Sequence, residues 1–185
     1  MAIDMERIVI NTAKTAEAIA LLLKLHQKPA IEGHLLKMMY FIDRLSLAQT
    51  NQSLTNDSYL GKKSGLIPKQ IPQLIEQMQV KNIVCKSHQS SAYITLNRDT
   101  NPQHLNNWEI EIIKAVYQQK KDINPFNLLD WNYDLEFIKN HVKTKRTILI
   151  TPVDIMRSLG KTTVEINAYL DTQTVITNSS SLSIA

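Results

Sequence analysis

Ile31-Glu32-Gly33-His34-Leu35-Leu36-Lys37-Met38-Met39-Tyr40-Phe41-Ile42-Asp43-Arg44 is the stretch that decides how this chain folds. Leu35, Met38, Met39, Ile42, Leu45 and Leu47 recur near helical spacing and predict a helix over 32–50. Leu36, Tyr40 and Phe41 widen the apolar stripe until nearly the whole circumference is covered. A helix apolar all round belongs at the centre of a domain, with neighbours on several sides. Lys37, Asp43 and Arg44 interrupt it. A charge so near a core needs a partner, and Asp43 or Arg44 is expected to form one half of a pair.

On the N-terminal side, residues 1–10 read as a short strand or a lead-in. Thr12 to Gln27 reads as a helix with Ala16, Ile19, Ala20, Leu23 and Leu25 on its apolar face. Thr12 or Thr15 can cap it, and Pro29 ends it. On the C-terminal side, Asn51 to Ser58 is polar and turn-rich, Tyr59-Leu60 is extended, and Gly61 to Gly65 forms a basic turn. Pro68 suits the first turn of a third helix, and Pro72 moves its start toward Ile71. Val80–Lys86 and Ala92–Leu96 flank a polar bend and predict a β-hairpin near 80–97, with Cys85 buried in its first strand.

Further along, Leu105 to Gln119 is an amphipathic helix whose face carries Trp108, Ile112, Ala115 and Val116, with Ile113 alongside. Asn124-Pro125 opens a short helix to Leu129. Asp130–Val142 reads as helix in one or two pieces, with Trp131, Leu135 and Ile138 a turn apart, and Lys143–Arg146 as a basic linker. Ile148–Ile150 is a short strand. Thr151-Pro152 starts a helix that Gly160 stops, Thr163–Leu170 is a last weak helix, and 172–185 is a flexible tail. The expected fold is therefore mainly α (α+β): one helical domain over 1–171 with a small hairpin. Three helices followed by a hairpin also give the element order of a winged helix, an analogy at the level of fold alone.

The composition suits a globular domain, with 185 residues, 43% apolar and 21% charged. Four glycines and six prolines favour helices over a turn-rich barrel. A net charge of +4 permits nucleic-acid contact without demanding it. One cysteine allows no intramolecular disulfide and no Cys pair for zinc. The first ten residues carry Asp4, Glu6 and Arg7 and do not read as a signal peptide, and no apolar run reaches the ~18 residues of a membrane span. The compartment expected is the cytoplasm.

Chemical motifs are sparse. Gly160-Lys161-Thr162 resembles the end of a phosphate-binding loop, but position 155 is Ile155 where that loop needs glycine. No two of His26, His34, His88, His104 and His141 have the i, i+4 spacing of a helical metal pair, although His26 and His34 flank the Pro29 turn and can converge. There is no Gly-x-Ser-x-Gly elbow, and Asp130 and Asp134 read as solvated surface. The expectation is no catalytic residue, no metal and no cofactor. The densest charge feature lies between Leu60 and His88, where Lys62, Lys63, Lys69, Lys81 and Lys86 face the single acid Glu76. In a winged helix these elements meet DNA, with lysines neutralising phosphates. A solvated face, or one that meets an acidic protein, explains them equally well.

Leu36-Lys37-Met38-Met39-Tyr40-Phe41-Ile42-Asp43-Arg44, then Leu54-Thr55-Asn56-Asp57-Ser58-Tyr59, then Gly65-Leu66-Ile67-Pro68, resemble the Panacea domain of the SocA-like family of prokaryotic and phage-associated proteins. The resemblance covers about residues 14–78. Asn56 stands where the family has a loop glycine, and Leu66 where it has a proline. Asn56 still tolerates a left-handed backbone. The resemblance implies an antitoxin that binds a toxin encoded beside it, by occlusion or by delivery to a protease, with one scaffold serving many toxins. Carried over by position, the marked residues are Lys37, Tyr40, Asp43, Arg44, Asp57, Gly65 and Pro68, and their expected role is structural for the most part. The Asn56 loop and the Gly61–Pro68 turn are the expected partner surface. The alternative is a winged-helix regulator that binds DNA, its own operator included.

Overall fold

The computed structural model describes residues 9–62, 65–87, 93–99, 101–127 and 147–182, with side chains described as far as Gln173. Six helices and six short strands lie within them. They are α1 (Thr12–His26), β1 (Ala30–Ile31), α2 (Glu32–Thr50), β2 (Tyr59–Lys62), β3 (Gly65–Pro68), α3 (Ile71–Val80), β4 (Val84–Lys86), β5 (Tyr93–Leu96), α4 (Asn107–Lys120), β6 (Ile148–Ile150), α5 (Pro152–Ser158) and α6 (Thr163–Leu182). The fold is α+β and mainly helical.

α2 is the central element. Seven consecutive residues, His34 to Tyr40, are buried, and Ile42, Asp43, Ser46 and Leu47 follow. It packs against α4, β3 and α5. Met39, Tyr40, Ile42 and Leu47 are each fully buried, and burying side chains of this size contributes about 1.5–3 kcal/mol apiece. α1 lies across α4 and α3. Its N-cap is Asn11, whose Oδ1 accepts from the Lys14 N–H, rather than Thr12 or Thr15. Thr15 is buried and donates to the Asn11 carbonyl at 2.6 Å.

The expected hairpin is present: β4 and β5 pair antiparallel with Val84 opposite Leu96. β1 adds to it through Ala30–Ile94, giving the order β1-β5-β4. That order, with α1, α2 and α3, is the pairing of a winged helix, with β2 and β3 inserted between its second and third helices. Cys85 corrects the sequence reading, for it is exposed while its neighbour Val84 is buried. In a pleated strand adjacent residues face opposite sides, and a strand this short leaves the phase undetermined in sequence.

A second sheet has the order β3-β2-β6. Tyr59-Leu60 and Ile148–Ile150 are the extended pieces expected from the sequence, whereas β3 is not. Pro68 does not enter the third helix but ends β3 opposite Tyr59, and α3 starts at Ile71. β6 pairs with β2 on its other side. The close approach there requires Gly61, because a Cβ at that position would lie 2.7 Å from Ile148 Cγ1. Thr151 caps α5 in a capping box with Asp154, Pro152 stands in the first turn, and Gly160 follows at φ 72°.

Two helices differ from expectation. On α4 the buried stripe is Glu109, Ile112, Ile113, Val116 and Tyr117, while Trp108 is 39% exposed and Ala115 faces solvent. α6 continues to Leu182, through the stretch expected to be a flexible tail from 172. Tyr169 and Gln173 anchor it in the core. Residues 121–127 form turns, so Asn124-Pro125 opens no helix as far as Asn127. The helical reading of 130–142 and the linker Lys143–Arg146 lie outside the described residues.

Candidate functional site

Three of the family-like residues, Tyr40, Asp43 and Asp57, belong to one buried cluster that clamps the loop between α2 and β2. Asp43 projects from α2 and is 1% exposed. Its carboxylate accepts from Ser53 Oγ at 2.8 Å, the Thr55 N–H at 2.9 Å, the Thr55 hydroxyl, and Tyr59 OH at 2.5 Å. Burial pushes its pKa above the usual carboxylate value, against the lowering effect of these four donors. Tyr59 is pushed well up, by burial first and then by the Asp43 charge. Its ring meets Tyr40 edge to face at 5.2 Å.

Asp57, also fully buried, fastens the far end of the loop. It accepts from the N–H groups of Gln70 (2.8 Å) and Ile71 (2.9 Å) at the start of α3, and from that of Ser58. Burial raises this carboxyl as well, with the backbone donors opposing. Between the two aspartates, Asn56 takes the left-handed conformation expected of it, with φ 58°. Its Nδ2 donates to Gln173 Oε1 at 2.9 Å, and its Oδ1 accepts from Tyr169 OH at 3.1 Å. The loop therefore holds α6 to the domain. Nothing in the local sequence signals this contact, because its partners lie more than a hundred residues away.

Asp43 and Arg44 do not pair with each other. Arg44 reaches outward to Ser158 Oγ at 3.2 Å, tying α2 to α5. Lys37 is buried and donates to the Pro125 carbonyl, and burial lowers its pKa. His34 bonds the Lys120 carbonyl at 2.9 Å, and Lys120 Nζ sits 4.2 Å above the Phe41 ring. The N-terminal half of α2 thus fastens the end of α4. Gly65 begins β3 at φ 103°, and Pro68 is buried at its end. With Leu54, Thr55, Asn56 and Asp57 all buried, the middle of the Asn56 loop is an internal clamp, and the exposed side chain at its start is Gln52.

The lysine cluster is dispersed. Lys62, Lys69 and Lys81 are exposed, and Lys63 lies outside the described residues. Lys86 is held between Glu32 (3.2 Å) and Glu76 (2.5 Å). The exposed positions of α3 include Gln73, Glu76, Gln77 and Val80, a face with no basic residue. His26 and His34 do converge on a small gap lined by Leu22, Met38 and Tyr117. Burial lowers both pKa values, and among the described residues no group of three or more potential metal-ligating side chains occurs. Nor is any described helix long and apolar enough to cross a membrane.

A comparison with protein families matches the region that holds Asp43, the loop and Asp57, while the clamp's partners Tyr169 and Gln173 lie beyond it. Residues 35–136 match the family described as antitoxin SocA-like, Panacea domain. The match begins later and ends later than the resemblance at 14–78, and it takes in Lys37, Asp43, Asp57 and all of α4. No curated protein and no solved structure matches the chain. With more than half of its length matched, the chain belongs to the SocA-like antitoxin family and carries its Panacea domain.

Proposed function

We propose that this protein is an antitoxin that neutralises a partner toxin by binding it directly, without a catalytic step of its own. The observation that carries the reading is the family match over residues 35–136. Two features support it. The marked residues Lys37, Tyr40, Asp43 and Asp57 are buried in the scaffold, which leaves the surface free to differ between toxins. The described clusters of titratable groups are spent on holding the fold rather than facing a substrate. Neutralisation proceeds by occluding the toxin or by escorting it to a protease, in the reducing cytoplasm that a single exposed cysteine suits.

Co-expression with the product of the adjacent gene tests the reading. Relief of growth arrest is the expected result, and persistent arrest with normal expression of both proteins would sink it. The DNA-binding alternative draws on the β1-β5-β4 pairing. Against it stand the acid on the outward face of α3 and the engagement of Lys86. It requires binding to upstream DNA that weakens steeply with salt, and a flat titration removes it.

A further inference from the structure

A cleft of about 350 Å³ opens beside the Asn56 clamp, between α1, the C-terminal end of α2, α4 and α6. Its volume is at the small end of ligand sites, roughly 300–1,000 Å³. Its floor includes Asn56 and Gln173, bonded to each other, and the buried Glu109. Its rim carries Asn11, Lys14, Gln52, Asn106 and Trp108.

The hydrogen bonds already made in the cleft define what it lacks. Asn11 Oδ1 is taken by the Lys14 N–H, and Asn106 Oδ1 by the Glu109 N–H at 2.9 Å. Both amides are thereby fixed with their oxygens committed, so each presents an Nδ2 donor without a partner among the described residues. The Trp108 indole N–H and the whole Gln52 carboxamide are likewise unengaged among them. Lys14 is neutralised by Glu109 at 2.6 Å, so the cleft has no net charge to offer an anion. The complementary ligand is uncharged, rich in carbonyl acceptors, and able to meet a carboxamide with a paired donor and acceptor. It also has an apolar surface for a half-exposed indole. An extended polypeptide main chain has all of these properties.

We infer that this cleft is the site at which the protein grips an extended segment of its toxin, with Trp108 as the apolar anchor and Asn11, Gln52 and Asn106 bonding the main chain. The inference rests on the antitoxin reading and goes further by naming the surface. It also moves that surface away from the lysine-bearing β2–β3 turn.

Calorimetric titration with the purified product of the adjacent gene tests it. Asn11→Asp and Asn106→Asp keep the capping oxygen while replacing the donor with an acceptor, so the helices stay capped. Trp108→Ala removes an exposed ring. Each variant is expected to weaken binding about tenfold or more, with an unchanged melting temperature. The double variant Lys62→Ala/Lys69→Ala is expected to bind within about twofold of wild type. If wild type binds and the cleft variants bind equally well, or if only the lysine variant fails, the cleft is not the site and the antitoxin reading survives. If wild type does not bind at all, both fall.

Discussion

Replacing Asp43 with alanine should cost this protein a large part of its stability, although no charge pair is broken. Three of the donors aimed at Asp43 have no other route to water: the Thr55 N–H, the Thr55 hydroxyl and Tyr59 OH lie on residues that are fully buried. Ser53 is only half-buried and rehydrates. An orphaned buried donor costs about 1–3 kcal/mol, and Tyr59 OH keeps a long contact to the Met39 carbonyl at 3.3 Å. With partial relaxation of the loop, a total of about 3–5 kcal/mol is expected. Domains of this kind have roughly 5–15 kcal/mol in all. Asp43→Asn keeps one acceptor and turns a donor toward donors, so about 2 kcal/mol is expected.

Urea unfolding followed by circular dichroism measures both. The pH dependence provides a second check. Because burial raises the folded-state pKa of Asp43 above its usual 3.8, ionisation costs stability. Its contribution is complete below 3.8 and is lost as pH rises through the raised value. The gap between wild type and Asp43→Asn should therefore be widest in acid and narrow as pH rises. A cost below about 1 kcal/mol for Asp43→Ala would refute the claim that this carboxylate organises the loop.

Other outcomes follow from the same geometry. Asn56→Gly preserves the left-handed backbone but removes the bonds to Gln173 and Tyr169, so α6 should lose amide-exchange protection while α2 keeps its own. Gly61→Ala should destabilise by about 1–3 kcal/mol through the contact with Ile148, and Ile148→Ala in the same chain should recover part of it in thermal melts. Glu165 is held at about 2, below its usual 4.5, chiefly by the Thr162 N–H and hydroxyl. Its contribution to the start of α6 is complete above pH 4.5 and is lost as pH falls toward 2. Glu165→Gln should remove that part of the acid sensitivity of α6 exchange, and an unchanged profile would count against it.

The central helix was legible because its apolar residues leave hardly any face for solvent, and only an interior position satisfies that pattern. The hairpin and the Thr151-Pro152 start were legible for equally local reasons. Asn, Ser, Thr and Asp in a row make the loop at 51–58 look like surface. Leu54 to Asp57 are buried here because Asp43 on the preceding helix, the backbone at the start of α3, and Tyr169 and Gln173 on the distant α6 satisfy their polar groups. From Thr172 the sequence has no charge, no aromatic and three consecutive serines, which favours a tail, whereas packing through Tyr169 and Gln173 is invisible to local propensity. Its helical spacing to Ile112 places Trp108 on the apolar face in the sequence. The buried stripe of α4 starts one residue later, at Glu109, and this leaves the indole at the mouth of the cleft.

Direct binding is the centre of the account, so the most direct test is calorimetry between this protein and the purified product of the adjacent gene. Saturable binding at a fixed stoichiometry, with a dissociation constant of about 1 μM or tighter, is the result predicted. The absence of measurable binding at concentrations well above that, with both proteins folded, would contradict it.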